Sequence, residues 1–149
     1  MQLVITVSAL TALIATILAH LLGMVWYSKF FGKKYMEVIG ADVSASRALG
    51  EKQNMLITYG LSVITSFVMF FALTFFTVFI GPLNLVGTLT YGFFMWLGFS
   101  MPMNVGAVLW SGKQKKLLFP MFLINAGYNL VTFLLTVVVW HFLLPYFLS

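Results

Sequence analysis

Three side chains that can hydrogen-bond or titrate lie inside long apolar stretches of this sequence, where polar residues are scarce. His20 stands six residues before Trp26, and Asn104 stands six residues before Trp110. Asn125 stands at a matching distance from the start of its own apolar stretch. At about 1.5 Å of helix per residue, all three would lie roughly 9–12 Å from one end of a helical bundle. The sequence therefore predicts a polar layer, with His20 as its titratable member.

Further polar residues extend this predicted layer along the neighbouring stretches. Tyr59 and Ser62 fall at the same depth, and Asn129 lies one helical turn beyond Asn125. One interpretation is hydrogen bonding between helices, which is worth about 0.6–2 kcal/mol per bond in a membrane. A second interpretation is a small hydrated pocket or solute path, because intramembrane polar residues often mark such paths. Contact with another protein is a third.

The usual signatures of catalysis are missing. The chain has no cysteine, and its three carboxylates, Glu37, Asp42 and Glu51, all stand outside the apolar stretches. Its two histidines, His20 and His141, have no metal-ligand spacing, and the phosphate-binding and nucleophile-elbow motifs do not occur. We therefore expect no enzymatic activity, no metal site and no cofactor.

Four apolar segments must position the polar residues: 3–25, 55–80, 86–110 and 117–144. Each has at least the roughly 20 residues that a membrane-crossing helix needs, and none contains a charge. Hydrophobic residues make up 62% of the chain and charged residues 7%, whereas soluble domains carry about 25% charged residues. This composition predicts an all-α, four-helix transmembrane bundle in a single integral membrane domain, residues 1–149, whose first segment is retained rather than cleaved as a signal.

The basic residues predict the orientation of this bundle. All eight Lys and Arg side chains fall within residues 28–54 and 111–116, between segments one and two and between segments three and four. The positive-inside rule places these two loops in the cytoplasm and both termini outside the cell (inner) membrane. Because the positive charge borders apolar segments, we expect it to meet the lipid bilayer and not nucleic acid.

The first cytoplasmic loop, 28–54, contains a helical pattern. Lys33 and Glu37 have the i, i+4 spacing of an ion pair, and Gly40 is a plausible end for a helix. The pattern predicts a short amphipathic helix at the membrane interface. Its apolar positions are Phe31, Tyr35, Val38 and Ile39.

The third segment contains Pro102 between Gly98 and Gly106. Proline has no backbone N–H and disturbs the preceding helical turn, so the sequence predicts a kink at this position. Such a kink next to Asn104 is compatible with either a binding site or a purely structural role.

Aromatic residues at the segment ends predict the belts that anchor helices at membrane interfaces. One group stands at the cytoplasmic ends of segments one and three, and the other at the outer end of segment four. These residues are Trp26, Tyr27 and Trp110 in the first group, and Trp140, His141 and Tyr146 in the second.

Several of these motifs resemble one family. Gly23-Met24-Val25-Trp26-Tyr27-Ser28, followed by Phe31-Gly32-Lys33, resembles the hallmark of small membrane proteins grouped as domain of unknown function 1761. Trp96-Leu97-Gly98-Phe99, Leu109-Trp110-Ser111-Gly112-Lys113 and Asn125-Ala126-Gly127-Tyr128-Asn129-Leu130 are similar to the second half of that family, so the resemblance covers nearly the whole chain. Tyr35 stands where tryptophan is expected. The resemblance implies a four-helix, mostly bacterial membrane protein without an assigned activity, and a junction motif of Gly23, Trp26, Tyr27, Ser28, Gly32 and Lys33.

Three functional hypotheses remain open on these grounds. The favoured one is a structural or accessory component of a membrane assembly. The second is an oligomeric transporter- or channel-like protein that uses His20, Asn104 and Asn125 as a polar path. The third is a membrane enzyme acting on a lipid or a quinone. The expected partners are the lipid bilayer and either further copies of the chain or a larger membrane complex.

Overall fold

A computed structural model describes residues 2–40, 52–80 and 84–148 of the chain. All of the regular structure in these ranges is helical, which confirms the all-α prediction. Residues 41–51 of the predicted cytoplasmic loop, and the predicted break at 81–83, lie outside the described residues. The helices are α1 (Gln2–Val25), a first π-turn (Trp26–Phe30), α2 (Gly32–Ile39), α3 (Lys52–Ile80), α4 (Leu85–Met95), a second π-turn (Trp96–Ser100), α5 (Met101–Leu109) and α6 (Lys115–Leu148).

Four of these stretches are long and apolar enough to cross a membrane: Gln2–Phe30, Leu56–Ile80, Leu85–Leu109 and Lys115–Tyr146. They overlie the four segments predicted from the sequence. The third apolar helix consists of α4, the second π-turn and α5 in continuous succession. The sequence pattern thus located the helices correctly because charge avoids a hydrocarbon environment along the whole length of each one.

Helix α6 is the centre of the bundle, since it packs against α1, α2, α3, α4 and α5. Helix α1 packs in addition against α3, where three alanines accept the large side chain of Phe70 (cluster of Ala12, Ala15, Ala19 and Phe70). On the other side of α6, Gly92 brings α4 close, because a Cβ at this glycine would lie 2.7 Å from Val137 Cγ2. Small residues therefore set the distances between the helices at both contacts.

The short helix α2 folds against the end of the bundle. It ends at Gly40, whose φ of 67° is left-handed, as the sequence predicted. Val38 is almost completely buried, and Lys113 Nζ donates to the carbonyl oxygen of Ile39 at 2.9 Å. The predicted Lys33–Glu37 pair is wrong: Glu37 instead pairs with Lys34, at 2.8 Å and three residues away. The predicted helix thus exists and is tied to the turn that precedes α6.

The disturbance predicted around Pro102 takes the form of the second π-turn. Residues Trp96–Ser100 form i→i+5 hydrogen bonds, and the backbone N–H of Met101 donates to the carbonyl oxygen of Trp96. Pro102 falls in the first turn of α5, where its missing N–H is tolerated. Regular α-helix is therefore interrupted immediately before the proline.

The two ends of the bundle differ in charge. We call the end that carries α2 and the turn 111–116 the basic end, and the end where α1 begins and α6 finishes the neutral end. Lys33, Lys34, Lys113, Lys115 and Lys116 all lie at the basic end.

Candidate functional site

The residues of the predicted polar layer come together in pairs near the basic end. His20 Nε2 lies 3.4 Å from Ser62 Oγ, which joins α1 to α3. Asn129 Nδ2 donates to Asn104 Oδ1 at 3.3 Å, which joins α6 to α5. In the third pair the hydroxyl of Tyr27 donates to Asn125 Oδ1 at 3.4 Å, so that the first π-turn is joined to α6.

These pairs do not form one continuous network. Within residues 2–40, 52–80 and 84–148, no hydrogen bond connects one pair to another. Tyr59, which the sequence placed in the layer, has 65% of its surface exposed and points away from these pairs. The structure brings five of the six predicted residues into these pairs, whereas Tyr59 lies on the outward side of α3.

His20 also bonds within its own helix. Its Nδ1 lies 2.8 Å from the carbonyl oxygen of Thr16. A carbonyl only accepts, so Nδ1 carries a proton in this arrangement and Nε2 is directed at Ser62. The Ser62 hydroxyl lies closer to the carbonyl oxygen of Tyr59, to which it donates at 2.8 Å, so the imidazole is bonded chiefly within α1 and contacts α3 at Ser62.

The junction motif forms a second, denser cluster in which rings of one helix sit over glycines of the other. Trp26 packs over Gly127, where an added Cβ would lie 3.3 Å from the indole ring. Tyr128 packs over Gly23 in the same way, at 3.1 Å from its hydroxyl oxygen. Both rings also hydrogen-bond to backbone: Trp26 Nε1 donates to the carbonyl oxygen of Ile124 at 3.1 Å, and the Tyr128 hydroxyl donates to that of Ala19 at 2.8 Å.

The other residues of the junction motif have more local roles. Ser28 donates from its hydroxyl to the carbonyl oxygen of Met24, one turn earlier in the chain. A Cβ at Gly32 would lie 3.4 Å from the carbonyl oxygen of Tyr27, which is an ordinary van der Waals contact. Lys33 is exposed on the outside of α2. The motif therefore brings together its aromatic residues and Gly23, and leaves its lysine exposed.

Trp96 is a member of the site that sequence reasoning missed. Its Nε1 donates to the carbonyl oxygen of Ala126 at 3.0 Å. Trp26 and Trp96 are each the first residue of a π-turn. Their indoles donate to carbonyl oxygens that lie two residues apart on α6, at Ile124 and Ala126. Its place in the middle of an apolar segment could have identified Trp96 as a site residue, because a buried indole N–H requires a hydrogen-bond acceptor.

The two tryptophans of the predicted aromatic belts that differ most in exposure are Trp110 and Trp140. Trp110 has 91% of its surface exposed, and its anchoring role stays a prediction. The prediction for Trp140 is wrong, because only 1% of its surface is exposed. Its position one turn from the end of the apolar stretch suggested an interface, but α6 continues to Leu148 and turns this ring into the bundle.

The chemistry of these clusters is that of neutral hydrogen bonding and aromatic packing. Glu37, the carboxylate within the described ranges, lies outside them and pairs with Lys34, and the only imidazole among the paired residues described above is that of His20. In the described part of the chain, no three His, Cys, Asp or Glu side chains gather into a group that could hold a metal ion. The geometry thus offers cohesion between α6 and the helices around it.

Comparison with known proteins places the chain in a family. The model described as "Protein of unknown function (DUF1761)" matches residues 10–140, so the chain belongs to this family, as its motifs indicated. The matched range includes the junction motif, both π-turns and the paired polar residues. Neither a curated protein nor a solved structure matches the chain.

Proposed function

We propose that this member of the DUF1761 family is a multi-pass protein of the bacterial inner membrane that serves, without catalysing a reaction, as an accessory component of a larger membrane assembly. In this proposal the basic end faces the cytoplasm and both termini face outward. The third apolar helix is the surface that meets the partner, an integral membrane protein.

The observation that carries the proposal is an open face of small residues on the third apolar helix. A Cβ added at Gly98 or Gly106 would meet no described atom within 4 Å, and Pro102 between them is exposed. By contrast, Gly92 on the same helix is filled by a neighbour. Glycine weakens a helix by about 1 kcal/mol, and in membranes it recurs where another helix approaches closely. Here the approaching helix would belong to another chain.

A groove next to this open face is a second reason to place the partner there. It has a volume of about 520 Å³, runs between α3 and the third apolar helix, and has α6 as its floor. Large side chains of a partner helix would fill it, and its flexible methionines could adapt to them. Its lining includes Met69, Phe76, Tyr91, Met95, Phe99 and Phe133.

The proposal is tested by blocking the open face. The double variant Gly98→Leu/Gly106→Leu covers it with bulky side chains, and Gly60→Leu is the matched control, since Gly60 is also exposed with an open Cβ position but lies on α3. Tagged proteins are extracted from their own host membrane in polymer-bounded lipid discs and weighed by native mass spectrometry. We expect the wild type and Gly60→Leu to carry a second protein and the double variant to lose it.

Three results would contradict this function. The first is a wild type that emerges from the membrane as a single 16.7 kDa chain. The second is a double variant that retains the partner, and the third is a complex that contains only copies of this chain. Circular dichroism of each variant shows that the helices persist, which separates loss of the partner from loss of the fold.

The orientation has its own test, which the absence of native cysteine makes simple. Single variants Gln2→Cys and Lys34→Cys are labelled with a membrane-impermeant maleimide on intact cells. We expect Gln2→Cys to react at once and Lys34→Cys to react only after the membrane is permeabilised. The reverse order would refute the proposed topology.

A further inference from the structure

The second π-turn leaves a gap in the backbone hydrogen bonding of the third apolar helix. In α- and π-helical patterns, a carbonyl oxygen accepts from the N–H four or five residues later. For Leu97 these positions are Met101 and Pro102. The N–H of Met101 donates to the carbonyl oxygen of Trp96, and proline has no N–H. The carbonyl oxygen of Leu97 therefore has no backbone donor.

The shortage of donors extends to the neighbouring carbonyls. Ser100 is the N-cap of α5, so its carbonyl oxygen accepts the first bond of that helix, from the N–H of Asn104. Only one N–H, that of Met103, is left for the three carbonyls of residues 97–99. Within residues 2–40, 52–80 and 84–148 no side chain donates to these oxygens, and the amide of Asn104 donates to Ser100 instead. One N–H does not serve three acceptors, so this helix has carbonyl oxygens without a partner.

The unpaired oxygens lie on the open face of the helix. The absent N–H of Pro102 is the one that would have served them, so they are directed toward the proline ring. Pro102 and Gly98 are exposed, and a Cβ built at Gly98 meets no described atom within 4 Å. Leu97, with 37% of its surface exposed, belongs to the same side. The described part of the chain therefore leaves these oxygens uncovered.

Their position along the helix removes them from water. Leu97 is the middle residue of the apolar stretch Leu85–Leu109. At about 1.5 Å per residue, it lies about 18 Å from either end of this stretch. The first π-turn, by contrast, lies at the basic end beside the exposed Lys29 and Lys33, where water is available. Since the hydrocarbon core is about 30 Å thick, the membrane placement proposed above puts the second π-turn near the bilayer centre, out of reach of water and lipid headgroups.

Hydrocarbon offers no hydrogen-bond donor, so an unpaired carbonyl at this depth is strongly unfavourable. An unpaired buried polar group lowers an equilibrium constant by roughly 5- to 150-fold. Elsewhere in this chain, a side chain of one helix donates to a carbonyl of another. The Tyr128 hydroxyl donates to Ala19 at 2.8 Å, and Trp96 Nε1 donates to Ala126 at 3.0 Å. A bond of this type, supplied by another chain, would complete the third apolar helix.

We propose, on the basis of the function proposed above, that the partner helix carries a neutral hydrogen-bond donor at the bilayer centre, a hydroxyl, carboxamide or indole that binds the carbonyl oxygens of Leu97 and Gly98. The donor is a side chain, because the N–H groups of the partner helix are used within that helix. It is neutral, because a charged group is disfavoured at this depth. Gly98 has no side chain to block its approach. The electrostatic complement of these carbonyls is thus a polar helix, and neither a purely apolar helix nor an acyl chain provides it.

The test observes the carbonyl directly. The chain is labelled with 1-¹³C-leucine and ¹⁵N-glycine, so that a ¹³C–¹⁵N correlation NMR spectrum contains only its three Leu–Gly pairs, at 22–23, 49–50 and 97–98. A carbonyl ¹³C signal moves downfield when the carbonyl accepts a hydrogen bond. Spectra are recorded in lipid nanodiscs, for the chain alone and with unlabelled partner. Leu97→Ile identifies the 97–98 signal, and Leu22 is the matched control because it lies within the regular helix α1.

We expect the Leu97 signal to move downfield when the partner binds and the Leu22 signal to stay in place. A complex that forms without moving the Leu97 signal would overturn this inference and leave the proposed function intact. A chain that has no partner in its own membrane would overturn both.

A pair of proline variants provides an independent reading. Pro102→Ala supplies the missing N–H, so the Leu97 signal should already lie downfield without the partner. Binding of the partner, titrated in nanodiscs, should weaken about 3- to 30-fold, the value of one hydrogen bond between membrane helices. Pro120→Ala is the matched control, because it also adds an N–H inside a helix, but close to the exposed Lys116 at the basic end.

Two further results would refute the inference. One is a Pro102→Ala variant that binds the partner as tightly as the wild type does. The other is a partner whose membrane-crossing segments contain no hydroxyl, carboxamide or indole side chain. Circular dichroism of both proline variants shows that the helices persist, which separates loss of binding from loss of the fold.

Discussion

The basic half and the neutral half of this bundle handle polar groups in different ways. In the basic half, a side chain of one helix bonds to the backbone of another, as Trp26 does to Ile124 and Tyr128 does to Ala19. In the neutral half, Thr74 and Thr136 bond chiefly to their own preceding turns. Bonds between helices occur there too, but they are longer, as in the 3.3 Å bond from the Tyr91 hydroxyl to the carbonyl oxygen of Leu73. A bond between helices fixes their relative height and rotation, whereas a bond within one helix fixes neither. The shorter bonds between helices in the basic half therefore fix the register of the bundle more firmly than those of the neutral half.

The largest expected effect comes from removing a tryptophan whose indole packs on α6 and donates a hydrogen bond to it. Trp26→Ala should lower the free energy of unfolding by about 3 kcal/mol, because it removes a large packed ring and leaves its space open. Trp110→Ala is the control, with an expected change within about 0.5 kcal/mol because that ring is exposed. Reversible unfolding by sodium dodecyl sulfate in mixed micelles, followed by circular dichroism, measures both. If Trp110→Ala lowered the free energy of unfolding as much as Trp26→Ala, the contact of Trp26 with α6 would not be what stabilises the basic half.

A steric change in the neutral half comes next. Gly92→Ala should lower the free energy of unfolding by about 1–3 kcal/mol, since the new methyl group would meet Val137 at 2.7 Å. In a Val137→Ala background the same substitution should cost less than about 0.5 kcal/mol, because the clash is gone. The same unfolding assay completes this double-mutant cycle. An unchanged penalty in that background would show that contact with Val137 is not its cause.

Two hydroxyl deletions compare the halves most directly. Tyr128→Phe removes only the bond to the Ala19 carbonyl and should lower the free energy of unfolding by about 1 kcal/mol. Thr136→Val removes a bond within α6 and should change it by less than about 0.5 kcal/mol. If Thr136→Val proves the more damaging of the two, the neutral half also sets register.

The smallest effect is expected at the outer edge of the basic end. Lys113→Met removes the ammonium that bonds to the end of α2, which is worth about 0.3–1 kcal/mol at a helix C-terminus. Amide hydrogen exchange of residues 36–40 should therefore become about two- to fivefold faster. Lys115→Met, an exposed change in the same turn, is the control. Unchanged exchange in Lys113→Met would show that packing around Val38 alone holds α2.

Much of the fold could be predicted from the sequence because the relevant property is local. Exclusion of charge located four helices, and Gly40 located the end of α2. The pairs His20–Ser62 and Asn104–Asn129 lay within the predicted polar set, since depth depends only on counting residues along a helix. These predictions required no knowledge of which helix neighbours which.

The other features of the site depend on which way each side chain faces around its helix axis. Counting residues along the sequence predicts depth but not this direction. Tyr59 has the predicted depth but faces outward, and Trp140 faces inward although its position resembled that of an interface anchor. Both outcomes follow from how α3 and α6 pack against their neighbours. The π-turns were likewise beyond a periodicity argument, because a single wider turn does not change the composition of an apolar segment.

The second π-turn has a consequence for changes in chain length. A π-turn holds about one residue more than an α-helical turn, and each residue of helix contributes about 100° of rotation. Deleting Leu97 would therefore restore a regular helix and rotate everything after it by that angle, which carries Asn104 away from Asn129. A one-residue gap at this position would turn a different side of α5 toward α6 while leaving the amino-acid content of α5 intact.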